Sequence, residues 1–131
     1  MRNCSVTESR QLVVSFIGAF NNGNGSRLDR IFAPAASFKW YSTNAPGRRL
    51  GPAAYARSTL APYFAGRHAQ RERLLLQWWQ GGGNANGYSH FQFRLVRRAL
   101  DLQPTAYEGK GAIICSENGD TIAVWSMGPR S

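Results

Sequence analysis

The stretch Ile31–Ser42, IFAPAASFKWYS, changes character at its middle. Its first residues continue a helical pattern, Pro34 interrupts it, and from Phe38 onward apolar and polar residues alternate as they do in a strand. We predict a strand over Phe38–Ser42. Trp40 shares a face with Phe38 in that strand, so its indole either fills the core or forms the wall of a pocket.

The residues before this stretch have the pattern of two helices. Ser5–Glu8 fits a capping box, in which Ser5 and Glu8 satisfy each other's backbone amides. The apolar residues that follow recur at helical spacing; they are Leu12, Val13, Phe16, Ile17 and Phe20. The glycine- and asparagine-rich segment 21–25 ends this helix, and Ser26 is predicted to cap a short second helix that runs to Ile31.

After the first strand the pattern changes from mixed to purely extended. Arg48–Leu50 is predicted to be a brief partner strand, and Pro52 to start a third helix that Pro62 ends or kinks and Gly66 closes. Four long strands follow; they are predicted at 70–80, 88–101, 105–116 and 121–127. Three helices followed by an antiparallel meander indicate one α+β domain over residues 1–131, with an ordered core from 5 to 128.

The chain is strongly basic. Its 131 residues include 16 Lys and Arg against 7 Asp and Glu, which gives a formal net charge of +9. Such an excess raises the chance of an anionic partner, such as nucleic acid or a phosphate ligand. The arginines are dispersed, however, with no dense basic arm, so a solvated surface is favoured and nucleic acid is not.

Neither a membrane span nor a secretory leader is visible, and the expected location is the cytoplasm. The two cysteines, Cys4 and Cys115, do not have a metal-binding spacing. They are predicted to be free thiols, with Cys115 as a small core residue. No HExxH, CxxC, GxGxxG or P-loop pattern occurs, so neither a metal nor a cofactor is expected.

Several landmarks along the chain together resemble one protein family; they are Phe32-Ala33-Pro34 leading to Trp40, Gly51-Pro52, Gly109–Ala112 and Ile122–Met127. In this order they resemble the NTF2-like superfamily, and most of all its SnoaL-like group. The resemblance implies a strongly bent antiparallel sheet wrapped around three N-terminal helices as a cone, the cystatin-like α+β roll, with a pocket inside. It also implies a homodimer through the outer sheet face. Strand alternation favours the same interface, because it puts Leu75, Trp79 and Val96 on that face, where a dimer would bury them.

The resemblance implies acid–base chemistry, as in ketosteroid isomerases, polyketide cyclases and related hydrolases. The position of the isomerase base falls on Trp40, whose indole cannot abstract a proton, so the familiar isomerase reaction is not expected. The candidate catalytic residues are Glu72 and His90. Glu72 shares a face with apolar residues, although its arginine neighbours favour an exposed ion pair, and His90 reaches the pocket only if a bulge reverses the strand. His68 is expected to be solvated.

The predicted function is binding of a small hydrophobic or aromatic ligand in an apolar pocket. The predicted lining residues are aromatic; they are Phe16, Phe20, Trp40, Tyr55, Tyr63, Trp78, Phe91, Phe93 and Trp125. The sequence leaves open whether this pocket carries isomerase, cyclase or hydrolase activity. The alternatives are a non-catalytic dimeric interaction module that uses the outer sheet face and, less favoured, a basic nucleic-acid binder.

Overall fold

The computed structural model describes residues 3–41, 52–54 and 57–130, and within them the side chains of 3–33 and 60–130. The elements are α1 (Val6–Asn22), α2 (Gly25–Ile31), β1 (Phe32–Tyr41), β2 (Pro52–Ala54), α3 (Arg57–Ala69), β3 (Arg73–Ala85), β4 (Tyr88–Ala99), β5 (Leu102–Ile114) and β6 (Thr121–Pro129). No helix in these described ranges has both the length and the hydropathy that a membrane crossing requires.

The strands form one six-stranded sheet in the order β2-β1-β6-β5-β4-β3. The meander β3–β6 is antiparallel, as predicted, whereas β1 pairs with β6 in parallel. The three helices cover one face, which we call the inner face; the opposite one is the outer face. Register shifts interrupt several pairings, and such bulges bend a sheet. The predicted α+β cone is confirmed.

The start of α1 follows the sequence pattern closely. The Ser5 hydroxyl accepts a hydrogen bond from the Glu8 amide at 3.1 Å, and the Glu8 carboxylate accepts one from the Ser5 amide at 3.0 Å, so the predicted capping box is confirmed. At the start of α2 the prediction was wrong by two residues. Asn24, rather than Ser26, caps this helix by accepting from the Arg27 amide.

The third helix starts later and ends later than predicted. Pro52–Ala54 forms β2 against β1, and α3 begins only at Arg57; the predicted strand Arg48–Leu50 lies outside the described residues. Pro62 falls in the second turn of α3, and the helix continues through Gly66 to Ala69. As a result, one more helical turn lies against α1 than the sequence pattern indicated.

Aromatic side chains fill the space between helices and sheet. The Phe16 ring is central and fully buried, and it packs against four other rings at centroid distances from 4.7 to 6.1 Å; they belong to Phe20, Phe32, Phe64 and Trp125. On the sheet side, Phe93 stacks on Trp125 at 4.3 Å. Rings at these distances make a continuous apolar core between the helices and the inner face.

Cys4 and Cys115 form a disulfide, so the prediction of two free thiols was wrong. Their Cα atoms lie 5.4 Å apart, although 111 residues separate them in sequence. The bond links Cys4, two residues before α1, to Cys115, directly after β5, and both cysteines are buried. Sequence spacing cannot reveal such a pair, because the fold alone brings the two positions together.

Candidate functional site

A cavity of about 180 Å³ lies between the end of α1, α2 and α3. Its walls are apolar and come from all three helices and the start of β1; the largest side chains are Phe20, Leu28, Phe32, Leu60 and Phe64. Two polar side chains complete the lining, His68 and Asp29. A mostly apolar cavity with a few polar groups is the usual form of a small-molecule site.

His68 reaches this cavity because α3 is long. Leu60, Phe64 and His68 follow each other at intervals of four residues, so the imidazole lies on the same helical face as two wall residues. The ring also lies against Gly23, where a Cβ atom would come within 2.6 Å of Nε2. Gly23 ends α1 with φ 67°, so glycine is favoured there both by backbone conformation and by the space that His68 occupies.

The Nδ1 atom of His68 is buried and has no hydrogen-bond partner among the described residues. A buried polar atom without a partner costs free energy, and such atoms often mark the place of a ligand or a water. Asp29, on α2, is exposed at the rim of the same cavity. The arrangement therefore offers one imidazole inside an apolar space and one carboxylate at its entrance.

Glu72 is fully buried, contrary to the exposed ion pair that its sequence neighbours favour. Its Oε1 accepts from Arg67 Nε and, at 2.8 Å, from Arg97 Nη2, and its Oε2 accepts from Arg97 Nε at 2.9 Å. Arg97 also donates to the Tyr107 hydroxyl at 3.2 Å, and Arg67 holds both oxygens of Asp101 at 2.9 and 3.1 Å. This cluster joins α3 to the sheet, and Glu72 does not line the cavity.

The electrostatics of this cluster favour the charged forms of Arg67, Arg97 and Asp101. Burial on its own lowers the pKa of Arg67, but hydrogen bonds to Asp101 and the charge of Glu72 outweigh it and raise that pKa. Burial alone also lowers the pKa of Arg97, but its hydrogen bonds to Glu72 and the Glu72 charge outweigh burial and raise that pKa. The hydrogen bond from Arg67 lowers the pKa of Asp101 below its ordinary value. Arg67, Arg97 and Asp101 therefore stay charged near neutral pH and hold the fold.

His90 is exposed on the outer face of β4. Burial alternates without interruption along this strand, with Ser89, Phe91, Phe93 and Leu95 inward, so no bulge turns the imidazole toward the helices. The structure thus separates the two predicted catalytic residues, one locked between arginines and one on the opposite side of the sheet.

The predicted aromatic lining is divided between several places. Phe20 lines the cavity, whereas four rings are buried in the core; they are Phe16, Phe91, Phe93 and Trp125. Tyr63 packs against that core. The backbone of Trp40 lies in β1 opposite Ala53, but its side chain, like all of Tyr55, is outside the described residues.

A bulge between Leu76 and Trp78 reverses the sheet faces on which Trp78 and Trp79 were predicted to lie. Trp79 packs against the core and stacks on Phe91, so it is not on the outer face as predicted. Trp78 is instead partly exposed on the outer face, with the Arg94 guanidinium 5.3 Å from its ring centroid. Leu75 is exposed on that face too, 65 % accessible, and the homodimer through it stays a prediction.

One group of possible metal ligands occurs in the described part of the chain. Atoms of Glu8, Cys115 and Asp120 lie within 4.8 Å of one another. The sulfur of Cys115 is committed to the disulfide, and the Glu8 carboxylate accepts from the Ser5 amide. A disulfide sulfur is not the thiolate that binds metals, so these residues as arranged do not form a metal centre.

The sequence did not point to His68, because the predicted helix ended too early. Had α3 been extended past Gly66, the four-residue interval from Leu60 through Phe64 would have placed His68 on the buried face. Proline and glycine are strong helix-ending signals on average, and here the packing of α3 against α1 and α2 overrides them.

Comparisons with known proteins bear on the fold. No protein-family model matches the sequence, and no curated protein matches it either. Among solved structures, an uncharacterised protein with a cystatin-like fold from Caulobacter vibrioides aligns with a TM-score of 0.75 at 10 % identity, covering 95 % of this chain and 89 % of that one. A ketosteroid isomerase-like protein from Erwinia carotovora atroseptica aligns with a TM-score of 0.68 at 12 % identity over 99 % of both chains.

A third structure, described as a candidate dehydratase of the NTF2-like family from Streptomyces avermitilis, has a TM-score of 0.72 at 12 % identity over 96 % of both chains. Identities this low establish the fold and leave activity undecided. The finer resemblance to the SnoaL-like group stays a prediction. With three helices on a bent mixed sheet and these likenesses over nearly its whole length, the chain has the fold of the NTF2-like proteins.

Proposed function

We propose that this protein binds a small ligand with a single ring and one polar substituent in the cavity between α1, α2 and α3. The observation that carries the proposal is the buried Nδ1 atom of His68, for which the described residues supply no hydrogen-bond partner, beside an apolar space of about 180 Å³. A ligand hydroxyl or carbonyl in the cavity would supply the missing hydrogen bond, while the ring would contact the phenylalanine walls.

The cavity volume limits the ligand. An apolar cavity of about 150 Å³ in another protein holds benzene, so a space of about 180 Å³ suits one substituted ring and is too small for a fused polycyclic molecule. The aromatic walls favour an aromatic or otherwise flat ring. This is the small hydrophobic ligand expected from the sequence, with a narrower size range and a different set of lining residues.

The same residues support acid–base chemistry as the finer part of the proposal. An imidazole can accept or donate a proton through its ring nitrogens, and the Asp29 carboxylate lies at the rim of the same cavity. A bound molecule that gains or loses a proton next to His68 would be a substrate of the kind that the family resemblance implies. In this proposal His68 takes the part that the sequence assigned to Glu72 and His90.

The test compares phenol with toluene, two rings that differ by one polar group. We expect both to bind wild-type protein in isothermal calorimetry or amide chemical-shift titration. His68→Ala should weaken phenol binding about 5- to 30-fold, the value of one hydrogen bond, and leave toluene binding nearly unchanged. His90→Ala is the matched control, because it removes the only other histidine from the outer face.

A second variant tests the location independently of hydrogen bonding. Ala65 lines the cavity from the exposed side of α3, so Ala65→Trp should fill the cavity entrance and abolish binding of both probes without disturbing the core. The proposal fails if neither probe binds the wild type, or if His68→Ala and His90→Ala have the same effect on phenol.

A further inference from the structure

Three arginines surround an open pocket of about 340 Å³ at one end of the sheet, far along the chain from the cavity residues of α1 and α2. Arg71 lies in the turn between α3 and β3, Arg73 begins β3, and Arg98 lies near the end of β4. The rest of the lining is uncharged; it consists of Ala99, Leu100, Leu102 and Pro104. The pocket therefore concentrates three positive charges with no acid in its wall.

Arg73 and Arg98 lie directly opposite each other on neighbouring antiparallel strands. Like charges in directly opposed positions destabilise a sheet, and strands normally place an acid across from an arginine. The two nearest acids in sequence cannot relieve this pair, because Glu72 is held by Arg67 and Arg97, and Asp101 by Arg67.

Arg71 occupies a backbone position that favours glycine. The Arg71 amide donates to the His68 carbonyl at 2.8 Å, and the Glu72 amide donates to the Arg67 carbonyl at 3.0 Å, which is the hydrogen-bond pattern of a Schellman motif. Arg71 is its left-handed residue, with φ 55°. An arginine side chain at this position costs stability relative to glycine. This end of the sheet therefore has two locally unfavourable features, the left-handed Arg71 and the opposed pair Arg73–Arg98, and both consist of arginine.

We propose that Arg71, Arg73 and Arg98 form a binding site for a phosphate group. Guanidinium groups bind phosphate oxygens through paired hydrogen bonds, and a bound dianion would turn the repulsion between Arg73 and Arg98 into a shared attraction. Three positive charges match a phosphate dianion or a diphosphate better than a single carboxylate. The proposal is independent of the cavity and of His68.

The phosphate can belong to a soluble molecule or to a lipid headgroup. Leu100 is the argument for the second source, since it is 70 % exposed at the tip of the β4–β5 turn and lines the same pocket. An apolar side chain among arginines suits the boundary between headgroups and acyl chains. Both sources present the same group to the three arginines, and the experiment below separates them.

Inorganic pyrophosphate is the first probe, measured by calorimetry and by the melting temperature of the full chain. We expect pyrophosphate to bind and to raise the melting temperature of the wild type, because it binds only the folded state. Arg98→Gln should weaken binding at least about tenfold, as expected for loss of a charged hydrogen bond. Arg10→Gln, which removes one exposed charge from α1, should change binding less than about twofold.

Without pyrophosphate, Arg98→Gln should melt at or above the wild-type temperature, because the substitution removes the repulsion from Arg73. This readout distinguishes loss of a site from loss of folding. The proposal is overturned if pyrophosphate does not bind, or if Arg98→Gln and Arg10→Gln weaken binding equally, since the effect would then be one of net charge alone.

Vesicles of phosphatidylcholine with and without phosphatidylglycerol identify the source of the phosphate. Sedimentation with the anionic vesicles only, lost in both Arg98→Gln and Leu100→Ser while Leu100→Ser still binds pyrophosphate, supports the site with a lipid headgroup as its ligand. Binding of pyrophosphate without sedimentation supports the site with a soluble phosphorylated ligand. Sedimentation that Arg98→Gln leaves unchanged contradicts a role for these arginines at a membrane surface.

Discussion

Glu72 is a buried carboxylate that arginines from α3 and β4 hold through three hydrogen bonds. Taking such a charge out of water is costly, and the cost is offset only while both guanidinium groups stay in place. Of its sequence neighbours, Arg71 is exposed in the turn before β3, and Arg73 donates to the backbone carbonyl of Glu72 at 3.0 Å, not to its carboxylate. The arginines adjacent to Glu72 in sequence are therefore not the ones that neutralise its carboxylate; Arg67 and Arg97 do so.

We predict that Glu72→Gln lowers the free energy of unfolding by about 3–5 kcal/mol, because it removes the buried negative charge that both Arg67 and Arg97 contact, while Arg67 keeps only its hydrogen bonds to the more exposed Asp101. Urea unfolding at neutral pH measures the change. Neutral pH is chosen because Asp101 has a lowered pKa in the folded protein. Its ionised carboxylate stabilises the fold fully above the ordinary pKa of 3.8, and this stabilisation is lost only as the pH falls below that value.

Glu108→Gln is the control for this substitution. Glu108 is a glutamate of β5 that is exposed on the outer face opposite Arg94, so its loss should change stability by less than about 1 kcal/mol. Equal effects of the two substitutions would contradict the account of Glu72 as the centre of a buried ion cluster.

The fifth strand shows how glycine and aromatic residues are matched across a sheet. Gly109 and Gly111 lie opposite Phe93 and Phe91 on β4, and each phenylalanine ring covers the glycine across from it. A side chain on either glycine would meet that ring and a backbone carbonyl of β6. The missing side chains thus make room for the stack of Phe91, Phe93 and Trp125 under the helices.

We predict that Gly109→Ala destabilises the protein by about 1–3 kcal/mol, because its Cβ meets the Ser126 carbonyl and the Phe93 ring. The matched control is Gly18→Ala in the interior of α1, where a Cβ meets nothing within 4 Å. That change should stabilise by about 0.5–1 kcal/mol through helix propensity. Urea unfolding of both variants checks the pair, and opposite signs are the decisive result.

The elements were predictable to different degrees, for physical reasons. The capping box, the meander and the inward face of β4 follow from local pattern, and the structure confirms them. The end of α3 and the exchange of Trp78 with Trp79 do not, because tertiary packing carries a helix past Pro62 and a single bulge reverses the faces of a strand. The longer α3 places His68 in the cavity, and the bulge in β3 places Trp78 on the outer face.

At the scale of the molecule, one covalent bond joins the beginning of the described chain to the end of β5. By restricting the unfolded chain, a disulfide that closes a loop of about 100 residues stabilises a fold by up to about 5 kcal/mol. Disulfides persist in oxidising compartments and are rare in the cytosol. The bond therefore favours an oxidising location. The cytoplasmic location expected from the sequence stays a prediction.

We predict that reducing Cys4–Cys115 lowers the free energy of unfolding by about 2–5 kcal/mol. Urea unfolding with and without reductant measures the difference, and mass spectrometry after thiol labelling verifies that the bond has opened. The variant Cys4→Ala with Cys115→Ala should unfold at the same urea concentration in both conditions. An unchanged midpoint for fully reduced wild type would show that the bond does not stabilise the fold.

The fold of the whole molecule could be anticipated from landmarks such as Phe32-Ala33-Pro34, because they mark where helices give way to sheet. The site could not, since it depends on how three helices meet. A single extra turn of α3 and a glycine at the end of α1 create the place that His68 occupies. Neither has a distinctive pattern in the sequence.

The most direct test of the ligand site is a crystal structure of the protein soaked with 4-bromophenol, whose bromine marks its position by anomalous scattering. We predict a bromine peak between α1, α2 and α3, among Phe20, Leu60 and Phe64, with the phenol oxygen within hydrogen-bonding distance of His68 Nδ1. A cavity that stays empty at saturating 4-bromophenol, or a bromine peak only on the outer face of the sheet, would contradict it.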